Sequence, residues 1–279
     1  MISVSDGHNP LAGRGAAGLP DVWTVIAIAI AATVCGDLIH EALGHGGACV
    51  LTGGHVLGLS SVYFDCDRDT RIVAAGGTIA NFVAGVLCFA ASRIVRRAPR
   101  LRYFLWLLMT INLLEVGGYF LFSGVGNIGD WARVIQGLQP SWAWHLGLIV
   151  AGAISYSYFV WLSLLELRPF LGPEGEMRLR RARRLTQIPY FTDGILSCIA
   201  GLFNPVGMLL VAISAAAASF GGASGLAWMG LLLRGPRVRS TELQMPEITR
   251  SWGWILAAVA LALLFIDVMG PGFRWPANK

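Results

Sequence analysis

Two imidazoles and two carboxylates fall close together in Asp37-Leu38-Ile39-His40-Glu41-Ala42-Leu43-Gly44-His45. The segment follows Val22 to Val34, an apolar run without a single charge. Ionisable groups at membrane depth are expensive and mark functional sites. These residue types suit a hydrolytic metal site: two neutral His nitrogens to bind an ion, and Glu41 to take a proton from water. The usual helical arrangement is H-E-x-x-H, with ligands at i and i+4 on one face. Here the histidines stand at i and i+5. On a straight α-helix that separation turns through about 500°, so the rings diverge by about 140°. A π-bulge adds one residue to a turn and brings them back together, and Gly44, Gly46 and Gly47 ease such a distortion. Metal binding therefore predicts a helix that is irregular between Leu38 and Gly47. On a regular helix Asp37, Glu41 and His45 align instead, a polar stripe suited to protons or ions. A mutually hydrogen-bonded structural cluster is the third alternative.

The elements around this stretch are those of a membrane protein. Of 279 residues, 55% are hydrophobic and 13% charged, with a mean hydropathy of +0.63. Soluble domains carry about 25% charged residues. The net charge of +5 resides in loops, and no basic patch is interleaved with aromatics, which argues against a nucleic-acid partner. The expected class is an all-α polytopic membrane protein. It has six to seven transmembrane helices and a short β-hairpin at the membrane edge. Residues 1–20 read as a flexible tail holding His8, residues 21–135 as the core carrying the His-Glu stretch, and residues 136–279 as additional helices with basic loops. Spans are expected near Val22–Leu51, Ile72–Ala91, Tyr103–Phe122, Trp142–Leu165, Phe191–Ala217, Gly222–Leu233 and Trp252–Met269. Glycines followed by β-branched and aromatic residues over Thr52–Phe64 suggest the hairpin.

Arginines cluster at 93–102, at 178–184 within a loop expected to be soluble, and at 234–239. Two spans separate each cluster from the next, so the positive-inside rule puts all three in the cytoplasm, with the N-terminus inside and the C-terminus outside. Cys35, Cys88 and Cys198 lie in apolar runs and read as small core residues. Cys49 and Cys66 can pair only if their segment faces an oxidising compartment, and the sequence reading favours leaving them unpaired. Asp65-Cys66-Asp67-Arg68-Asp69 reads as a solvated turn rather than a calcium loop.

Three features occur in order: His40-Glu41-Ala42-Leu43-Gly44-His45, then Ala75-Gly76-Gly77-Thr78-Ile79-Ala80-Asn81, then Gly129-Asp130-Trp131. Over about residues 22–135 the chain resembles the site-2 protease family of intramembrane zinc metalloproteases. That family has an H-E-x-x-H helix, a later G-P-x-x-N element and an Asp from an Asp-Gly motif. The first motif here has one extra residue, Thr78 replaces the Pro, and Asp130 lies between Gly and Trp. The resemblance implies zinc held by His40, His45 and Asp130, with Glu41 as catalytic base. It implies Asn81 as a donor to the substrate backbone or oxyanion, and Leu51–Phe64 as a hairpin that holds substrate extended. The family's motif usually lies nearer the cytoplasmic face, whereas the basic loops put this one toward the outer end of its span.

Asp130 also suits a helix N-cap, and Asp193, followed by Gly194, is an alternative third ligand. Asn112 and Glu115 stand on the third span as partners for the histidines. His55 and His145 read as interfacial or structural. The expected function is therefore peptide hydrolysis within membrane-spanning protein segments, in the lipid bilayer of a bacterial inner membrane. The alternatives are a transporter or proton conductor using Asp37, Glu41 and His45, and an inactive protease relative.

Overall fold

The computed structural model describes residues 18–172, 175–205, 207, 211–234 and 246–275. His8, most of the N-terminal tail, Val206, Arg237 and Arg239 lie outside the described residues.

Helix α1 (Val22–Leu38) starts where Asp21 accepts the Thr24 N–H at 2.9 Å, a side-chain N-cap. It runs without a break through a π-helical segment, Ile39–Gly46, into α2 (Gly47–Leu51). Strands β1 (Val56–Leu59) and β2 (Phe64–Cys66) form the expected antiparallel hairpin. A third strand, β3 (Phe273–Arg274), arrives from the far end of the chain and pairs with β1, giving the order β2-β1-β3. Sequence patterning did not foresee β3, because two residues carry no period. Helix α3 (Arg71–Ile94) is capped by Thr70. Helix α4 (Pro99–Gly126) has Pro at its start, where the missing N–H costs nothing, and ends on Asn127 at φ 52°. After Gly129 at φ 84° comes the short α5 (Asp130–Ile135), then α6 (Ser141–Leu167).

Among the described residues, five helices are long and apolar enough to cross a membrane: Val22–Leu51, Arg71–Ile94, Pro99–Gly126, Ser141–Phe170 and Trp252–Met269. A sixth candidate is a broken pair, Ser214–Gly222 and Ser224–Leu233, bent by 44°. The later boundaries differ from the sequence reading. Arg178–Arg184 is not a soluble loop but the first half of α7 (Glu176–Leu202), whose arginines bond backwards to carbonyls. Helix formation there needs no apolar run, since Arg is a good helix former.

The fold exposes apolar side chains and buries a polar group of residues beside an apolar core. His40, His45, Asn81, Asn112 and Asp193 are buried, while Leu43, Ile79, Leu87, Ile154, Trp161 and Leu256 are exposed. Such a surface fits lipid, where only satisfied backbone and apolar side chains are tolerated. The main core packs Val25, Ile28 and Ala32 of α1 on Trp106, Leu107 and Ile111 of α4, with Phe159 and Leu164 of α6.

The bundle has two chemically distinct ends. At one, Arg181 and Arg184 donate to the Gly18 and Pro20 carbonyls, Arg250 meets Asp21, and Arg100 donates to the Thr249 carbonyl. Arg93 pairs with Glu166 near the same end. At the other lie the sheet, α5 and a disulfide between Cys49 and Cys66. The disulfide corrects the unpaired reading. The hairpin folds β2 back onto α2 and brings together sulfurs 17 residues apart, a proximity that spacing alone does not reveal. Beside it, the His55 backbone and ring N–H groups both bond Asp67 and hold its carboxyl below the usual range.

Closing a loop of this size is worth about 3 kcal/mol. Cys66→Ser should lower the unfolding free energy in detergent by about that amount. An unchanged denaturation midpoint, in protein purified without reductant, would show that the bridge is not part of the folded molecule.

Candidate metal centre

The π-helical segment is the local device that builds the site. The N–H of Gly47, just after it, bonds back to the Ala42 carbonyl, the wider π spacing. The extra residue per turn cancels the divergence of an i, i+5 pair. His40 Nε2 and His45 Nε2 end 3.2 Å apart, with ring centroids 4.8 Å apart and planes 80° to one another. The irregularity falls within Leu38–Gly47, as metal binding by both histidines requires.

Helix α3 closes the other side, and glycine makes this possible. A Cβ on Gly44 would lie 2.5 Å from Gly77 Cα, and one on Gly77 would lie 2.5 Å from His40 Nε2 and 2.7 Å from His45 Nε2. The Gly76-Gly77 pair is therefore the floor under both imidazoles, a role the sequence reading did not assign. Small-residue contacts of this kind are the general means of close helix approach in membranes. Val73 on α3 supplies its carbonyl to His45 Nδ1 at 2.7 Å. That bond fixes the proton on Nδ1 and turns a bare Nε2 inward.

Asp130 arrives from α5, with Oδ2 3.2 Å from His40 Nε2 and 3.3 Å from His45 Nε2. It opens α5 while Gly129 takes the cap position, so Asp130 is not the N-cap. Three long-range contacts hold α5 in place. Trp131 Nε1 donates to Thr78 Oγ1 at 3.1 Å, Arg133 meets Asp69 at 2.5 Å, and Arg71 donates to the Gln136 carbonyl at 3.0 Å. Thr78, which replaces a proline in the resembled motif, thus anchors the helix that carries Asp130. Glu41 stands beside the pair, with one carboxylate oxygen and one nitrogen of each histidine all within 4.8 Å of one another. Tyr119 stacks on His40 and Phe64 of β2 on His45, at centroid distances of 4.8 and 5.6 Å. Neither aromatic was singled out from sequence, where Tyr119 is one of several aromatics in apolar spans and Phe64 one residue of the expected hairpin.

The donor set fits a small tetrahedral ion. Bonds of 2.0–2.1 Å at tetrahedral angles put ligand atoms about 3.3–3.4 Å apart. The three edges here are 3.2, 3.2 and 3.3 Å. Asp130 Oδ2 is buried yet accepts no well-directed hydrogen bond among the described residues, as a ligand oxygen would be.

Other candidates fall elsewhere. Asn81, expected to face substrate, is fully buried: Nδ2 donates to His40 Nδ1 at 3.1 Å and to Glu115 Oε2 at 2.7 Å. It supports His40 rather than lining the open cavity, because α3 turns it toward α4. Asn112 contacts neither histidine; Nδ2 donates to the Leu108 carbonyl one turn back on α4. Asp193 is not the third ligand. It sits on α7, accepts from Thr33 Oγ1 at 2.9 Å and lies deeper in the bundle. His145 donates Nδ1–H to the Gly124 carbonyl, and His55 pairs with Asp67, so both have structural partners.

The His40, Glu41, His45 and Asp130 cluster opens into a cavity of about 680 Å³. Its lining includes His40, Glu41, His45 and Asp130 near the sheet and Thr33, Asp37 and Asp193 further in. Ser61, Tyr63 and Phe64 of the hairpin region line its mouth. Comparison of the chain with family models, curated proteins and solved structures returned no match.

Proposed function

We propose that this chain is an intramembrane metallopeptidase of the site-2 protease kind, holding zinc through His40, His45 and Asp130. The observation that carries the reading is the near-equilateral triangle of His40 Nε2, His45 Nε2 and Asp130 Oδ2, with Glu41 beside it. Zinc at this position supplies Lewis-acid polarisation. Glu41 acts as general base, taking a proton from the attacking water and returning it to the leaving amine. The substrate is a membrane-spanning segment that unwinds to expose its peptide bonds. Both edges of β1 are occupied, while β2 is paired on one side only. An extended substrate adding to the free edge of β2 would run past Phe64, which touches His45.

His40 needs a proton on Nδ1 to offer a bare Nε2. The Asn81 amide provides for this when turned end for end, with Oδ1 accepting from Nδ1–H. Glu115, 2.7 Å from the same amide position, then serves as a carboxylic acid donating to Oδ1.

The proposed setting is a bacterial cytoplasmic membrane. The arginine-rich end faces the cytoplasm by the positive-inside rule, and the disulfide end faces an oxidising compartment. The centre then opens toward the outer face, opposite to the usual placement in the resembled family. The competing reading, an ion or proton pathway through Asp37, Glu41 and His45, draws on the same cavity and needs no metal.

Protein purified without chelator should carry about one zinc per chain by elemental analysis. Asp130→Ala and Gly77→Ala should both abolish it, the second because a methyl group would fill the space between the imidazoles. A metal-free wild type, or full zinc in Gly77→Ala, would return the assignment to the ion-pathway reading.

Glu41→Gln should keep its zinc and lose about 10²- to 10⁴-fold in hydrolysis of a fluorogenic membrane-segment substrate. Equal turnover by the two proteins would remove Glu41 from the chemistry. Glu115→Ala should weaken zinc affinity by about 10- to 100-fold, whereas Glu115→Gln, which still donates to Asn81, should stay within a few-fold of wild type.

In intact cells lacking the native free cysteines, Asp69→Cys should react with a membrane-impermeant maleimide and Arg97→Cys should not. Labelling of Arg97→Cys alone would invert the topology.

A further inference from the structure

The inner end of the cavity holds two carboxylates that the peptidase mechanism does not use. Asp193 is 3% exposed, and its Oδ2 accepts no hydrogen bond among the described residues. Asp37 Oδ2 is likewise buried and unpartnered. Both line the cavity, as do Thr33 and Ser197. Among the described residues lining the cavity the one Lys or Arg side chain is Arg133, on α5 beside Asp130. Two unpaired carboxylates in a bundle interior are costly, and a cation that joins them relieves that cost.

Thr33, one turn before Asp37 on α1, bonds Asp193 and so sets the α7 carboxylate beside the turn of α1 that carries Asp37. A guanidinium or ammonium group spreads three to five N–H donors and can serve two carboxylates at once. Asp37 stands one turn below Glu41, about 6 Å along the axis, which is within reach of a Lys or Arg side chain whose backbone lies at Glu41.

We propose that Asp37 and Asp193 form a specificity subsite for a Lys or Arg side chain of the substrate. The proposal rests on the peptidase reading for the position of the substrate backbone. It also gives Thr33 a role: its hydroxyl occupies Asp193 Oδ1 and leaves Oδ2 for the ligand. Hydrogen bonds from a charged donor to two carboxylates favour the basic residue over a neutral one of the same shape, because the neutral one leaves the acids unmatched.

The test is binding, measured by intrinsic tryptophan fluorescence on the intact, metal-free protein in detergent. The probes are a ten-residue Ala/Leu peptide with one central arginine and the same peptide with citrulline, its neutral isostere. The arginine peptide should bind at least tenfold tighter, and Asp193→Asn or Asp37→Asn should each bring the two peptides together. If Asp193→Asn does not fold, Asp37→Asn and the wild-type comparison decide. Equal binding of the two peptides by wild type overturns the subsite. So does an arginine preference that survives both substitutions. Replacing choline chloride with sodium chloride at equal ionic strength should not change the arginine peptide's affinity; a tenfold loss would assign the acids to an inorganic cation and overturn the proposal. Hydrolysis is scored separately on zinc-loaded protein. Arginine preference without cleavage would count against the peptidase reading alone, and cleavage without preference against the subsite alone.

Discussion

The contact between the π-helical segment Ile39–Gly46 and the Gly76-Gly77 step of α3 governs the rest of the site. The added residue in the turn brings His40 and His45 onto one face, and the missing side chains of α3 let a second helix lie directly beneath them. Each half depends on the other. A regular helix would send one imidazole away from α3, and a Cβ at Gly77 would fill the space where the two nitrogens meet. Among the described residues the chain has two further π segments, Val211–Gly222 and Phe265–Met269, so the π turn alone does not mark the site; its contact with α3 does. Here the Val73 carbonyl and Asn81 amide, both from α3, hold the rings it presents.

Around that contact lies a polar cluster, set beside an apolar core of Ile28, Trp106, Leu107 and Ile111. In a bilayer, apolar side chains lose nothing by facing lipid, so the helices also show Leu, Ile and Trp outward while His, Asn, Asp and Thr stay within. The buried groups are linked rather than isolated: Glu115 meets Asn81, Asn81 meets His40, and Thr33 meets Asp193. Among the described residues, the buried carboxylate oxygens left without partners lie at Asp130, Asp37 and Asp193, and all three residues line the same cavity.

The end of the bundle that carries the site is held by long-range ties. Trp131 on Thr78 and Arg133 on Asp69 fix α5, and the Cys49–Cys66 bridge fixes the hairpin against α2. The last strand closes the sheet on β1, so the C-terminal region braces the hairpin whose Phe64 covers His45. The opposite end is fastened by arginines bonded to backbone carbonyls near residues 18–20 and 249–250. The two ends therefore differ in both charge and redox chemistry.

By itself the sequence determined the first four apolar spans, the last one and the hairpin, and it made a backbone distortion between Leu38 and Gly47 the condition for metal binding by both histidines. These are legible because they follow from local periodicity: run length, glycine placement, and an i, i+5 pair that a straight helix cannot converge. It also favoured Asp130 over Asp193 as the third partner, without showing which of them reaches the histidines. Only tertiary structure decided that, by carrying α5 to the histidines and leaving Asp193 deeper on α7. It likewise turned Asn81 into a support for His40, made Gly77 the floor of the site, paired Cys49 with Cys66, and ran the Arg178–Arg184 stretch into a helix. In each case the deciding partner lies on another element, and side-chain direction across packed helices leaves no trace in the spacing of a single segment.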